Sequence, residues 1–344
     1  MSRRAVTMSV GGILLVALGI IGVRVPVPYA ALGPGPTFNT LGSVDGTNVI
    51  TVTNKGGTTP EDTRTSGHLQ LVTVGVRDHL DLFTALRGWF DGSVAVVPRE
   101  EIFPPDKSEQ QVDKENTQEF VQSQDAAEAA ALGELHYPEQ IVVKQVVTGS
   151  PSEHRLATDD VITSLNDTKL TSPDRLISAL SAIEPGTRVE VGYQRDGRAA
   201  TAQITTTKAQ KRGGSALGVL VSSERVAPFD IKVSLGNIGG PSAGLMFALG
   251  IVEKVGGQDL TGGRFVAGTG TIDASGKVGP IGGIPQKMLG AKRDGASVFL
   301  VPGDNCAEAR ATVPSDLRLV RVDNLHDAVQ ALQELDRGGN PAGC

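Results

Sequence analysis

The sequence predicts an α+β multidomain protein with an N-terminal transmembrane helix. Three observations support this prediction: an uncharged apolar run at residues 5–23, a β-rich middle segment, and a C-terminal segment in which strand and helix patterns alternate. The chain has 344 residues, 39% of them hydrophobic, so it can form more than one folded core and is not disordered as a whole.

The apolar run at residues 5–23 lies between Arg3 and Arg4 on one side and Arg24 on the other. At 1.5 Å per residue it reaches about 28 Å, close to the thickness of a bilayer's hydrocarbon core. The alternative is a cleaved signal peptide, with a weak cleavage-like sequence at residues 29–31. We favour a single-pass anchor in the cell membrane. Arg3 and Arg4 then place the N-terminus in the cytoplasm and all following domains outside it.

Composition excludes several classes of function. With 38 acidic and 32 basic side chains the net charge is −6, and no dense basic run is present to follow a nucleic-acid backbone. Aromatic residues make up 4% of the chain, too few for base-stacking platforms. The two cysteines, Cys306 and Cys344, exclude a disulfide scaffold and the common structural zinc patterns, but a bridge between them stays open. We expect neither a cofactor nor a metal ion.

The pattern divides the chain after the anchor (residues 1–24) into three parts. Residues 25–136 are expected to form an N-terminal extracytoplasmic region of mixed α/β character. This region includes a short helix capped by Asp81, in which Phe83, Leu86 and Phe90 recur at helical spacing. An Ala-rich helix follows at residues 117–135.

A β-rich domain is expected over residues 137–208. Its order is strand, turn, strand, a helix opened by Ser172 and Pro173, and then two strands joined at Asp196-Gly197. This order resembles a PDZ domain, a fold that takes an extended peptide as an added strand. The sequence departs from the PDZ pattern at Asp159, where a Gly-Asp pair is usual, and no carboxylate-binding loop is readable near residues 137–141.

The candidate chemistry lies in the last part, residues 214–337. In GGPSAG (residues 239–244) Ser242 precedes a helix, whose backbone N–H groups would meet a developing oxyanion, and Gly240 lets the backbone approach closely. Taken alone, this string is more typical of an ordinary helix cap than of a catalytic site. In GGIPQK (residues 282–287) Lys287 lies in the first turn of another helix, where burial would favour the neutral base.

Together with TGTI and ASVFLVP, these motifs resemble the proteolytic domain of Lon-type serine proteases. The resemblance implies a Ser–Lys dyad formed by Ser242 and Lys287, with Thr269 orienting the lysine. It also implies a ring-shaped homo-oligomer, of which a hexamer is one form. The Gly239-Gly240 pair departs from the acidic-Gly pair usual in that family. No ATPase module is readable, so the sequence predicts an ATP-independent endopeptidase that acts on unfolded or membrane-associated proteins.

Two other functions stay open. GxSxG at residues 240–244, with Asp304 and His326 in the required order, fits a Ser–His–Asp hydrolase. A non-catalytic PDZ-type membrane adaptor on a degenerate protease fold is the second alternative. A phosphate loop is excluded at residues 270–277, because the spacing differs from that of a P-loop and Val278 follows the lysine.

Overall fold

The structure, a computed structural model, describes residues 3–54, 66–209, 213–236 and 238–344. The chain folds into two compact units. Unit 1 comprises Met1–Thr51, Asp62–Ala131 and Lys232–Cys344, and unit 2 comprises Val52–Glu61 and Leu132–Ile231.

The helices of the described part are α1 Arg3–Arg24, α2 Leu82–Phe90, α3 Glu109–Glu134, α4 Pro173–Ser181, α5 Gly244–Gly256, α6 Ile284–Arg293, α7 Cys306–Thr312 and α8 Leu325–Asp336. The strands are β1 Tyr29–Asn39, β2 Ser43–Val44, β3 Thr47–Asn48, β4 Ile50–Asn54, β5 His68–Arg77, β6 Ala95–Pro98, β7 Glu139–Val146, β8 Val161–Leu165, β9 Thr168–Lys169, β10 Arg188–Arg195, β11 Arg198–Thr205, β12 Thr207–Lys208, β13 Ser215–Ala216, β14 Val219–Arg225, β15 Phe229–Val233, β16 Phe265–Gly268, β17 Thr271–Ile272, β18 Val278–Gly279, β19 Val298–Pro302 and β20 Arg318–Val322.

Unit 1 is built on a mixed six-stranded sheet with the order β20-β19-β16-β5-β1-β6. Strand β5 pairs parallel with β16, from the other end of the chain, and antiparallel with its local neighbour β1. Half of the sheet therefore comes from the region that the sequence predicts as separate, residues 25–136. These strands belong to the same folded unit as the C-terminal strands. Pairing between such distant segments leaves no mark on local periodicity, so the sequence does not predict it.

Helices α5 and α6 bring their first turns to one end of β16. Along that strand Ala267 is buried in a cluster with Ile284 and Met288 of α6, whereas a Cβ on Gly268 would meet Met246 of α5. Because successive strand residues point to opposite faces, the two helices cover opposite faces of the sheet. Thr269 follows directly at the carboxyl end of β16, between the starts of both helices.

Helix α1 is long and apolar enough to cross a membrane, and its apolar stretch runs over Thr7–Arg24. Helix α2 begins where the sequence predicts it. The Asp81 side chain caps it by accepting hydrogen bonds from the N–H groups of Phe83 and Thr84. Helix α3 begins at Glu109, eight residues before the predicted start.

Unit 2 contains an antiparallel sheet with the order β11-β10-β8-β7-β14, and β9 pairs with β8. The predicted hairpin is confirmed: Asp196 and Gly197 both have positive φ, 50° and 74°, which is typical of the turn that joins β10 to β11. Ser172 caps α4, with Pro173 in its first turn, also as predicted. The core is formed by apolar residues of the sheet and α4, including Ile141, Ile162, Leu176, Val191 and Ile204.

The unit extends beyond its predicted end at residue 208. The polar segment 208–214 predicts a break between domains, but β12 and β13, which lie before and after most of it, pair with each other. Strand β14 then completes the sheet beside β7. Unit 1 resumes only at Lys232, and not at residue 214. Polar composition is typical both of linkers and of surface connections within one domain, so it does not by itself fix a domain boundary.

The open question about the cysteines has an answer in the structure. Cys306, at the start of α7, forms a disulfide with Cys344, the last residue. Their Cα atoms lie 5.1 Å apart, within the usual range for a disulfide. Disulfides persist in oxidising compartments and are rare in the cytosol.

Candidate active site

The loop before α5 carries Ser242 and is held against α3. Gly240 has φ = +87°, a backbone conformation that favours glycine. Its N–H donates to the Asn116 carbonyl oxygen at 2.9 Å. The Pro241 carbonyl accepts a hydrogen bond from Ser123 Oγ at 3.0 Å. Helix α3 thus fixes the backbone on the approach to Ser242, a contribution that no motif in the sequence indicated.

These contacts change the part expected of Gly240. Its N–H already has an acceptor in this conformation, so it is not available to a substrate oxygen. In the described part of the chain, the N–H groups of Ser242 and Ala243 have no acceptor. They lie at the N-terminus of α5, which begins at Gly244, where free backbone N–H groups can serve as donors to an oxyanion.

The carbonyl group of Ser242 is anchored to the segment that follows β16. It accepts one hydrogen bond from the Gly270 N–H at 2.9 Å and a second from Thr269 Oγ1 at 3.0 Å. In return, the Leu245 N–H donates to the Gly270 carbonyl at 3.1 Å. The position of the serine is therefore set from both sides, by α3 before it and by residues 269–270 beside it.

Lys287 lies in the first turn of α6 and its residue is 3% exposed. Its Nζ donates to Thr269 Oγ1 at 3.1 Å. Burial lowers the pKa of Lys287 from 10.5 to about 8. Within the described residues no carboxylate forms an ion pair with it. The lysine is therefore poised to lose its proton near neutral pH.

Thr269 links the two predicted reacting residues. Its hydroxyl donates to the Ser242 carbonyl and accepts from Lys287 Nζ. The threonine is buried, and its hydroxyl proton is already committed to the carbonyl. The lysine must therefore act as the donor in their contact, which leaves the lone pair of a neutral Nζ free for another partner.

Ser242 and Lys287 line one cavity of about 410 Å³. The loops around it contribute Gly239, Gly240 and Gly282, and the edge opposite them comes from Pro36 and from Thr73 and Val74 of β5. The cavity is large enough for part of a polypeptide chain. In the described part of the chain, Lys287 Nζ has its hydrogen bond to Thr269, and none to Ser242 Oγ.

The structure does not bring the alternative triad together. His326 is exposed on α8 and shares a hydrogen bond of 2.8 Å with Gln330. Asp304 is exposed in a short 3-10 turn. Neither residue is among the described residues that line the Ser242 cavity.

One cluster of possible metal ligands lies elsewhere in unit 1. Asp78, His79 and Glu109 place a ligand atom each within 4.8 Å of one another. The Arg99 guanidinium donates to Asp78 at 2.9 Å and to Glu109 at 2.6 Å. The two carboxylates therefore already share a cation, and the group has the character of a surface ion-pair network.

Unit 2 has a cavity of its own, of about 540 Å³, between α4 and β14. Strand β14 is at the edge of the sheet, paired with β7. The lining includes Leu176 and Leu180 of α4, Gly218 before β14, and Leu220 and Val221 within it. An extended peptide fits such an edge as an added strand.

Two family models match this chain, with bounds that differ from those of the two units. Residues 111–206 match the family model of the PDZ domain, and residues 221–334 match that of the Lon protease (S16) C-terminal proteolytic domain. The PDZ domain of the SdrC-like protein from Listeria monocytogenes, a solved structure, is 22% identical; the match covers 24% of this chain and 86% of that one, with a TM-score of 0.23.

Curated relatives include three Lon proteases. That of Clostridium beijerinckii is 30% identical over 188 residues, 52% of this chain and 23% of the relative. That of Heliobacterium modesticaldum is 32% identical over 135 residues, which are 38% of this chain and 16% of the relative. Lon protease 1 of Sorangium cellulosum is 40% identical over 93 residues, which are 26% of this chain and 11% of the relative. The chain thus spans less than a quarter of the length of each.

Proposed function

Since the chain carries a PDZ domain followed by a Lon-type proteolytic domain, we propose that it is a membrane-anchored serine endopeptidase that works without ATP. Ser242 is the nucleophile and Lys287 the general base. One observation carries the proposal: a buried lysine, with no acidic partner among the described residues, lines the same cavity as a serine that precedes a helix. Uncompensated burial of this kind marks functional sites more often than structural ones.

The reaction begins with proton transfer from Ser242 Oγ to the neutral amine of Lys287. With a pKa of about 8, about a tenth of the lysine is neutral at pH 7, whereas an ordinary lysine is almost wholly charged. The proton transfer requires the lysine's lone pair to turn toward Ser242 Oγ while Thr269 keeps its own hydrogen bond. Apo geometries of this kind commonly tighten when substrate binds.

Ser242 Oγ then attacks the peptide carbonyl, and the N–H groups of Ser242 and Ala243 receive the oxyanion. Lys287 passes its proton to the leaving amine, which departs and leaves an acyl-enzyme. Water, deprotonated by the same lysine, attacks the ester and releases the second product. Each proton that Lys287 takes is returned, so the enzyme regains its starting state.

The remaining parts of the chain supply location and substrate capture. Helix α1 anchors the protein in the cell membrane with the N-terminus in the cytoplasm. The rest of unit 1 and all of unit 2 lie outside, in a compartment where the Cys306–Cys344 disulfide persists. The groove between α4 and β14 takes extended segments of unfolded or membrane-associated proteins. The homo-oligomer, with a hexameric ring as one form, stays a prediction.

The test is cleavage of an unfolded protein by the full chain, with and without ATP, beside Ser242→Ala, Lys287→Ala and His326→Ala. We expect the first two variants to lose cleavage and His326→Ala to keep it, with no effect of ATP. Equal cleavage by all variants would contradict the mechanism. Loss in His326→Ala with activity kept in Lys287→Ala would indicate the triad hydrolase instead. A wild-type chain that binds peptide but never cleaves would indicate the adaptor.

A further inference from the structure

Helix α2 of unit 1 exposes its large apolar side chains. Phe90 is 90% exposed and Trp89 55%, and the same face carries Leu82, Phe83 and Leu86, each between 37% and 51% exposed. These five residues, which we call the α2 outer face, occupy about a third of the helix circumference at 100° per residue. A helix of a water-soluble domain turns such a face toward its core, so this one requires another apolar environment.

The inner face of α2 is made of small residues. Ala85 and Gly88 are its buried residues, and a Cβ on Gly88 would lie 2.7 Å from Val96. Ala85 packs with Ala31 and Leu80 in a small core. The helix thus packs closely through its smallest residues, and of the large ones Trp89 contacts Tyr29, with ring centroids 5.7 Å apart. The outward direction of the α2 outer face is therefore built into the packing.

Two sets of contacts attach α2 to the end of α1. A Cβ on Gly22, which is buried, would lie 2.8 Å from the Phe83 ring. Directly after α1, Pro26 pairs with the cap residue Asp81, and the Val27 N–H donates to the Leu80 carbonyl at 2.8 Å. Only one residue separates the last residue of α1 from this pairing, so the height of α2 relative to α1 is set by the fold.

We propose that the α2 outer face inserts into the interfacial layer of the lipid bilayer, beside the outer end of α1. The inference rests on the proposed membrane anchoring. Gly22 is two residues from Arg24, where the apolar span ends, which is about 3 Å along the helix axis. If α1 crosses the membrane, Phe83 lies at the level where hydrocarbon meets headgroups.

The chemistry of α2 fits that level. Trp and Phe are the residues that occupy membrane interfaces, with rings among the acyl chains and, for Trp, an N–H toward the headgroups. Arg87 in the last turn of α2, Arg77 at the end of β5 and Arg24 at the end of α1 offer cations to lipid phosphates. The α2 outer face continues the apolar surface of α1, and this continuity favours lipid over a second protein as the occupant.

Trp89 is the single tryptophan of the chain, so its fluorescence reports on this face alone. The full chain is reconstituted into phosphatidylcholine–phosphatidylglycerol vesicles, with and without lipids brominated on their acyl chains. We expect brominated lipid to quench Trp89, and acrylamide present on both sides of the membrane to quench it less than in the denatured chain. Quenching by acrylamide without quenching by brominated lipid would overturn the proposal.

Two variants make the test specific. Phe90→Glu places a charge on the α2 outer face at a residue with almost no contacts, and we expect it to reduce quenching by brominated lipid and to raise quenching by acrylamide. Val313→Glu is the matched control, an exposed apolar residue of unit 1 outside α2, and we expect it to behave as wild type. Equal quenching in both variants would contradict the assignment.

Experiments with the same vesicles distinguish a failure of lipid insertion by α2 from a failure of the membrane anchoring on which it rests. Retention of the protein after alkaline carbonate washing, with Trp89 open to acrylamide alone, would overturn the docking surface and leave the anchor standing. Release by carbonate would contradict the anchor and the docking surface with it. A Trp89 shielded from both quenchers would overturn lipid insertion in favour of a contact with another copy of the chain.

Discussion

Each of the two units buries an ionisable side chain, and the two side chains differ in whether an opposite charge is paired with them. In unit 2 the Asp160 side chain is fully buried, and the Arg195 guanidinium donates to both of its oxygens at 2.7 Å. In unit 1 Lys287 is 3% exposed, and its Nζ has a neutral hydroxyl as partner, Thr269 Oγ1. The carboxylate is compensated by an opposite charge, whereas the lysine forms no ion pair with any carboxylate in the described part of the chain.

The difference separates a structural charge from a reactive one. In the Asp160–Arg195 pair the hydrogen bonds to the carboxylate raise the pKa of Arg195, so the guanidinium is held in its charged form. At Lys287 burial alone acts and lowers the pKa to about 8. A group held in its charged form cannot exchange protons near pH 7, whereas one destabilised in that form can. The cost in stability is the reason such groups are found mainly where chemistry needs them.

The largest expected effect on the free energy of unfolding comes from removing the cation that is paired with Asp160 in unit 2. Arg195→Met leaves Asp160 buried without its cation, and we expect the free energy of unfolding to fall by about 3–5 kcal/mol. Urea denaturation at pH 7 measures it. Arg198→Met, which changes an exposed arginine at the start of β11, is the control, and we expect a change within about 0.5 kcal/mol. Equal effects of the two variants would show that the Asp160 pair is not structural.

Lys287→Met is expected to raise the free energy of unfolding instead of lowering it. The folded pKa of about 8 lies below 10.5, so the folded state binds its proton more weakly than the unfolded chain does. Stability therefore rises with pH between 8 and 10.5, and at pH 7 the charged lysine costs about 3 kcal/mol. We expect the variant to gain up to that amount at pH 7 and about 1 kcal/mol at pH 9.5, while cleavage is lost.

Thermal unfolding at both pH values measures the gain, with Lys292→Met on the same helix as the control. Lys292 is half-buried near Asp316 and should show no comparable gain. A Lys287→Met chain that is less stable at pH 7 than wild type would mean that the lysine is compensated after all.

The smallest of the three effects concerns Thr269. Thr269→Val keeps the shape but removes the acceptor for Lys287 Nζ and the donor to the Ser242 carbonyl. A hydrogen bond to a charged group is worth about 1.5–3 kcal/mol, so we expect kcat to fall about tenfold to a hundredfold. The midpoint of the pH–rate profile should also fall, because the charged lysine loses a stabilising acceptor. Thr269→Ser should restore both values; failure to do so would argue against a positioning role for the hydroxyl.

The sequence predicts the local parts of this comparison well. The caps at Asp81 and Ser172 and the turn at Asp196-Gly197 depend on neighbouring residues, and the structure has them where they are expected. The motifs around Ser242 and Lys287 likewise identify the two residues that share a cavity. These features need few residues, close together in the chain, and each has its own physical signal.

The distant parts could not be predicted. Asn116 and Ser123 of α3 hold the backbone before Ser242, although more than a hundred residues separate them from it in the chain. The outward direction of Phe83 and Phe90 is another example, because periodicity indicates an apolar face without saying what it meets. Both depend on packing between segments that local patterns do not connect.

The central claim is that an uncompensated Lys287 activates Ser242, and the rate at which Ser242 reacts tests it most directly. The chain is labelled with a fluorophosphonate between pH 6 and 10, and the modified residue is located by peptide mass spectrometry. We expect modification at Ser242. Its rate should rise with pH to a plateau, with the midpoint of the rise near pH 8, and almost no modification should occur in Lys287→Met. A rate that does not change with pH, or that is unchanged in Lys287→Met, would contradict it.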